Sequence, residues 1–398
     1  MKFHKNLIEA IIDCLEDVFE GGFYADKVIE RKFKQNKQFG SRDRAFVAEN
    51  FYDIVRNFRL LYEIYEKIPN NRKAWQLLVL THIYISKNQF VDIPEYQKID
   101  VDFVNSRIVK LSKNPAVSTS FPDWLYKFCE KNLGGIWPET AIELSKTAPL
   151  VIRANTLKIS PADLINELSK ENIKAKIIED DAILIPERVN LFKTNSFKLG
   201  YFEVQDYSSQ QVAKSIDFKP NLRVVDACAG AGGKTLHLAS LMKNKGKIIA
   251  LDVDERKLTQ LKLRARRAGA CNIEMKLIEG TKTIKRLENS ADILLLDVPC
   301  SGLGVLKRNP DSKWKLTSER IAELEKTQQE ILQNYHSVLK KNGYLIYSTC
   351  SILPSENQLQ IEKFLENNKD KFEFISDKKI LPQDKGFDGF YIAKLRKL

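Results

Sequence analysis

Two cysteines stand at the ends of short apolar runs, each followed by serine: Ile-Leu-Leu-Leu-Asp297-Val-Pro299-Cys300-Ser and Tyr-Leu-Ile-Tyr347-Ser-Thr349-Cys350-Ser. A thiolate at the C-terminal edge of a parallel sheet lies where open α/β folds hold their ligands. Upstream, Asp226-Ala-Cys228-Ala229-Gly230-Ala231-Gly232-Gly233-Lys234-Thr235 joins a predicted strand to a predicted helix. Glycines there let backbone N–H groups close on a ligand at the helix N-terminus. Thiols beside such a loop imply covalent chemistry next to a bound cofactor.

The kind of cofactor follows from the spacing. A phosphate-binding loop of the G-x-x-x-x-G-K-[ST] type needs glycine where Cys228 stands. A dinucleotide loop, G-x-G-x-x-G, needs glycine where Thr235 stands. An adenosyl-sulfonium cofactor needs only a loop hugging the nucleoside and an acid for the ribose hydroxyls. Asp252, at the end of the next predicted strand and roughly twenty residues on, supplies that acid. S-adenosyl-L-methionine fits this pattern best.

Thiol and sulfonium together suit one reaction. Cytosine C5 is too weak a nucleophile to accept a methyl group unaided. A thiolate adding at C6 makes C5 enamine-like, and loss of the C5 proton later expels the thiolate. Asp297, three residues before Cys300, is placed to hydrogen-bond the N3/N4 edge of the base. Cys14, Cys129 and Cys271 read as small buried hydrophobes, and Cys228 as part of the cofactor loop. The six cysteines include no C-x-x-C pair and the four histidines are dispersed, so neither metal nor disulfide is expected.

The Asp-Val-Pro-Cys300-Ser-Gly and Tyr-Ser-Thr-Cys350-Ser segments resemble the two cysteine motifs of RNA cytosine-5 methyltransferases of the RsmB/Sun (Nol1/Nop2/Sun) family. Similar to that family are also Arg308-Asn-Pro310-Asp311, Glu356-Asn357, Asp388-Gly389-Phe390, Arg153-Ala-Asn155 and Val204-Gln205-Asp206. The resemblance implies that Cys350 is the nucleophile and that Cys300 assists product release. Two departures stand out. Gly230-Ala231 replace the usual Ala-Pro, which leaves the free loop more flexible. Glu279 stands where the third strand usually ends in an aspartate contacting the adenine region. With residues 228–234 and Asp252, Glu279 and Asp297 complete the expected cofactor set. Ser41-Arg42-Asp43-Arg44 through Val55-Arg56 resembles the NusB-type helical domain of RsmB-like members, which implies a ribosomal RNA substrate, most simply small-subunit 16S rRNA. The rival readings are a DNA cytosine methylase using the Pro-Cys thiol alone and an RNA-binding ribosome-assembly factor with a lapsed active site.

Positioning these residues requires a parallel sheet. From about residue 220, continuous apolar runs alternate with amphipathic helices, as in a sheet covered on both faces. The expected fold is α/β, with a Rossmann-like methyltransferase domain over 216–398 holding a mostly parallel seven-stranded sheet. A small α+β module over 145–215 and an all-α NusB-like RNA-binding domain over 1–140 are expected before it. Apolar residues at helical spacing, such as Leu7, Ile8, Ile11, Ile12 and Leu15, mark the latter.

With 43% hydrophobic and 29% charged residues, the 398-residue chain has the balance of an ordinary soluble protein. No apolar run reaches the ~20 residues of a membrane span. The charged, amphipathic opening segment lacks a signal-peptide core, so a cytoplasmic location is expected; the protein is also expected to be a monomer. The net charge of +12 favours a polyanionic partner, here RNA, with Lys307, Arg308, Arg264 and Arg266 as candidate phosphate contacts.

Overall fold

Where apolar runs of four to seven residues follow turn signals, the computed structural model forms strands, and these build two sheets in a mixed α/β architecture. It describes residues 4–91 and 93–398. Met1, Lys2 and Phe3, part of the opening segment, and Asp92 lie outside the described residues. The chain divides into two compact units, Met1–Thr147 with Leu306–Thr317, and Ala148–Val305 with Ser318–Leu398.

The first unit is helical. Helices Lys5–Phe19, Ser41–Ile64 and Arg72–Lys87 bury Ile8, Ile11, Phe51, Val79 and Trp75 in one core. The Trp75 ring stacks on Phe58 with centroids 5.6 Å apart. Residues 306–317 belong to this unit because their side chains are spent on it. Trp314 Nε1–H donates to the Val55 carbonyl at 2.8 Å, and Lys313 Nζ to the Arg56 carbonyl at 2.7 Å. Lys307, only 2% exposed, pairs with Glu143. Its ammonium, read from sequence as a phosphate contact, is therefore occupied internally.

In the second unit, β1 (Leu150–Ala154), β2 (Lys176–Glu179), β3 (Ala182–Ile185) and β4 (Phe202–Val204) form an antiparallel sheet in the order β2-β3-β1-β4. Three residues are too few to show a periodicity, so β4 is not evident from sequence. The larger sheet contains β5 (Arg223–Asp226), β6 (Lys247–Asp252), β7 (Ile273–Leu277), β8 (Ala291–Asp297), β9 (Leu339–Thr349), β10 (Phe372–Ile380) and β11 (Phe390–Lys397). Its order is β10-β11-β9-β8-β5-β6-β7, and only β11 runs antiparallel to its neighbours.

Strand β9 begins at Leu339 rather than at the expected Tyr344. It pairs Ala291 with Leu339, breaks register, and resumes at Ile293 with Tyr344. Asn342, at φ +62°, accommodates the intervening kink. The chain steps from β5 outward to β7, then returns to the other side of β5 at β8. The topological switch point therefore falls between β5 and β8, where this class of sheet opens a crevice. Among the described residues no helix is long and apolar enough to cross a membrane.

Candidate active site

The parallel register of β8 and β9 sets Asp297 opposite Ser348. The segments leaving both strands therefore run side by side. Ser348 Oγ–H donates to Asp297 Oδ1 at 2.9 Å, and the Cys300 and Cys350 sulfurs lie 3.2 Å apart. The two sequence-predicted thiols are thus brought together, both half-buried. The hydrogen bond to Cys350, then burial, then the charges of Cys350 and Glu356 push the Cys300 thiol well up from its usual range. Cys300 is thereby held as a thiol beside the Cys350 sulfur, and either sulfur can donate in the contact between them.

The other Asp297 oxygen accepts from Lys234 Nζ at 2.6 Å. Burial opposes the ammonium charge of Lys234, but the charge and hydrogen bond of Asp297 outweigh it and raise its pKa. Lys234 also sits over the Phe390 ring, 5.2 Å from its centroid. Both cysteines, Asp297 and Lys234 converge on the switch point.

The Gly loop covers the same edge. Residues 227–232 lead from β5 into the helix Gly233–Leu241. Gly232 has φ +89°, and a Cβ there would lie 2.1 Å from Leu261 Cδ1, so only glycine fits. Gly230 N–H donates to Asp252 Oδ2 at 2.8 Å, and Asp254 N–H to Asp252 Oδ1 at 2.9 Å. Each carboxylate oxygen keeps a lone pair beyond those bonds. A Cβ built on Gly230 or Gly233 meets nothing within 4 Å, so open space lies against the loop. Open space, a helix N-terminus and a carboxylate with spare acceptors fit an adenosyl cofactor whose ribose hydroxyls donate to Asp252. Cys228 lies in this loop, and Glu279 is exposed just beyond β7, its N–H donating to Thr283 Oγ1 at 3.4 Å.

Beneath the loop, Asp226 ends β5 fully buried and accepts from Thr235 Oγ1 at 2.7 Å. Burial raises its pKa to about 7, although the Thr235 hydrogen bond opposes the shift. The sign for stability follows from linkage. The folded protein holds this proton more tightly than the unfolded chain, so the contribution is complete below about pH 4 and is lost as pH rises towards 7. Asp226→Asn, which mimics the protonated acid, is expected to remove that loss. Denaturant titrations from pH 4 to 8 should show the variant gaining on the wild type up to about pH 7, by at most about 4 kcal/mol, with no further gain above.

A buried carboxyl that sequence marks only as part of Glu356-Asn357 organises the cysteine turns. Glu356 accepts from Ser301 N–H at 2.7 Å, Ser301 Oγ–H at 2.5 Å and Gln328 Nε2 at 3.0 Å. Gln328 also donates to the Pro299 carbonyl at 3.0 Å. Asn357 binds Thr349 Oγ1 and donates to the Ser351 carbonyl at 3.0 Å, which fixes the other turn. Gln328 lies 28 residues before Glu356 in a run of polar helix positions, and no local signal points to it. Glu356→Ala leaves three donors unmatched in a dry site and is expected to cost about 3 kcal/mol or more. Equilibrium unfolding should show that loss, with Glu356→Gln retaining part of the stability.

The arginines offered from sequence as phosphate contacts differ in placement. Arg264 is engaged by Glu203 at 2.9 Å and by the Ala231 carbonyl at 2.7 Å, whereas Arg266 is exposed. Among the described residues no cluster of ligands could hold a metal ion.

A family model described as 16S rRNA methyltransferase RsmB/F matches residues 213–396. Another, described as an RsmF/B-like ferredoxin-like domain, matches residues 121–191. The chain is 32% identical to the ribosomal RNA small subunit methyltransferase B of Shewanella oneidensis over 98% of this chain and 99% of that protein. It is 31% identical to the protein named "Probable ribosomal RNA small subunit methyltransferase B" of Synechocystis, over 96% and 97% of the two chains. A crystal structure of a methyltransferase homologue from Pyrococcus horikoshii superposes with a TM-score of 0.63 at 30% identity, covering 72% of this chain and 98% of that one. With a sheet of methyltransferase topology and relatives matching nearly end to end, the chain belongs to the RsmB/F family of 16S rRNA methyltransferases.

Proposed function

We propose that this enzyme methylates C5 of a cytosine in small-subunit ribosomal RNA through a covalent bond between Cys350 and C6 of the ring. The observation that carries this reading is the pair of sulfurs 3.2 Å apart, next to the Lys234–Asp297 ion pair at the mouth of the cofactor loop. A methylase acting on an exocyclic nitrogen or a sugar hydroxyl has no use for two adjacent thiols. The names of the relatives direct the substrate to small-subunit ribosomal RNA, the family description to 16S rRNA, and the net charge of +12 suits an RNA partner.

S-Adenosyl-L-methionine supplies an electrophilic methyl group when bound, held by residues 228–234 and Asp252, with Glu279 towards the adenine. Cys350 attacks C6, and the electron pair displaced from the C5–C6 bond makes C5 nucleophilic. Asp297, braced by Lys234 and Ser348, accepts a hydrogen bond from the exocyclic amine and fixes the base over the thiol. Once C5 carries its methyl group, transfer of the C5 proton to solvent water restores the double bond and expels the Cys350 thiolate. Cys300, its sulfur 3.2 Å away and held as a thiol, donates its S–H to that sulfur as it leaves. Extruding the base from any stack costs least in a loop, which favours RNA as the partner.

The test is to incubate purified protein with protein-free small-subunit rRNA and tritiated S-adenosyl-L-methionine, then map the product by bisulfite sequencing. One cytosine resistant to bisulfite conversion is expected. Label on a sugar, an exocyclic nitrogen or another base would overturn the reading.

A further inference from the structure

The cofactor loop contains three glycines in four residues and no proline, so its backbone is poorly restrained by its own sequence. Two arginines restrain it from outside. Arg153, on β1, donates from Nη1 to the Gly233 carbonyl at 2.9 Å and to Gln205 Oε1. Arg264, on the helix Glu255–Ala268, donates from Nη1 to the Ala231 carbonyl at 2.7 Å and from Nη2 to Glu203 at 2.9 Å. Arg153 pairs with Glu203 in the β1–β4 register, and Gln205 stands two residues further along the same face. One short edge of the small sheet therefore aims both guanidinium groups at the loop.

The consequence follows from peptide geometry. A trans peptide directs its N–H opposite to its C=O. Holding the Gly233 carbonyl fixes the direction of the Lys234 N–H, one of the unpaired donors at the start of the helix Gly233–Leu241. Holding the Ala231 carbonyl fixes the Gly232 peptide, whose N–H closes the loop's own turn on the Ala229 carbonyl at 2.9 Å. Burial matters as well: Arg153 is 2% exposed and Glu203 3% exposed, so these contacts are shielded from water and salt.

We propose that Arg153 and Arg264 are positioning residues: the small antiparallel sheet presets the cofactor loop for S-adenosyl-L-methionine without contributing an atom to the cofactor itself. The proposal rests on that loop being the cofactor site.

Arg267 provides the control. It also pairs with Glu203, and its guanidinium stacks on Phe197 at 3.8 Å, but its hydrogen bonds do not include the loop. Calorimetric titration with S-adenosylhomocysteine should show about tenfold weaker binding by Arg264→Gln and a change within twofold for Arg267→Gln. Hydrogen exchange of residues 229–235 in the ligand-free full-length protein should quicken in Arg264→Gln alone. Arg264→Lys reaches the carbonyl or the carboxylate but not both, so it should fall between wild type and Arg264→Gln, and it serves if the glutamine variant does not fold. Equal affinities and equal exchange for Arg264→Gln and Arg267→Gln, whether both unchanged or both impaired, would overturn the proposal. Absence of S-adenosylhomocysteine binding by the wild type would instead strike the assignment of the loop itself.

Discussion

Cys350→Ala is expected to reduce transfer of tritium from labelled S-adenosyl-L-methionine to small-subunit rRNA by more than ~10³-fold, the scale on which enzymes lose rate with their nucleophile. The loss should be chemical rather than structural. Cys350 is half-buried and its side chain is small, so truncation is expected to cost no more than about 1 kcal/mol of stability. A melting temperature within a few degrees of wild type, together with unchanged S-adenosylhomocysteine affinity, checks this. Cys300 is the nearest nucleophile that could substitute, but the hydrogen bond and burial that hold it as a thiol leave it poorly suited to attack. Transfer persisting near the wild-type rate in Cys350→Ala would sink the proposed mechanism, in which that sulfur attacks while burial and the adjacent sulfur keep Cys300 a thiol.

Cys300→Ala is expected to give a different and equally large effect. Attack by Cys350 and methylation of C5 still proceed, but the sulfur to be expelled loses the neighbouring thiol proposed to donate to it. The enzyme should then stall as a protein–RNA adduct. On a denaturing gel this appears as a slow-migrating band that requires the RNA and vanishes on nuclease treatment. Removing both cysteines should abolish the band, since the bond forms through Cys350. Fast turnover with no trapped species in Cys300→Ala would assign product release to another group. Together the two variants separate a DNA-type mechanism, where the Pro-Cys thiol alone attacks, from the one proposed: the former predicts near-normal transfer in Cys350→Ala and neither transfer nor adduct in Cys300→Ala.

The fold was legible where the signals are local. Runs such as Val224-Val225, Ile248-Ile249 and Ile293-Leu-Leu-Leu296 are too uniformly apolar to be solvated on either face. The amphipathic stretch Glu255–Ala268 announces a helix, and a helix forms over those residues. The residues 306–317 were not legible as part of the helical unit. Nothing in Lys307-Arg308 distinguishes a surface patch from a segment that buries Lys307 on Glu143 and sets Trp314 beside Phe58. Arg264 misled for the same reason. A helix rich in basic residues reads as a solvated or nucleic-acid-binding face until its carboxylate partner, Glu203, arrives from sixty-one residues away.

Sequence by itself determined which chemistry is available: two thiols at strand ends, a glycine loop that excludes phosphate and dinucleotide patterns, and acids at Asp252 and Asp297. Those are properties of residue types and short spacings, which survive any packing arrangement. Tertiary structure decided how they meet. The β8–β9 register sets Cys300 and Cys350, fifty residues apart, at 3.2 Å, and brings Lys234 to Asp297 across sixty-three. It also converts Glu356, Gln328, Arg153 and Arg264 from ordinary polar residues into the braces of the site. Such pairings depend on which side chains lose their water together, and that is settled only when the sheets and helices pack.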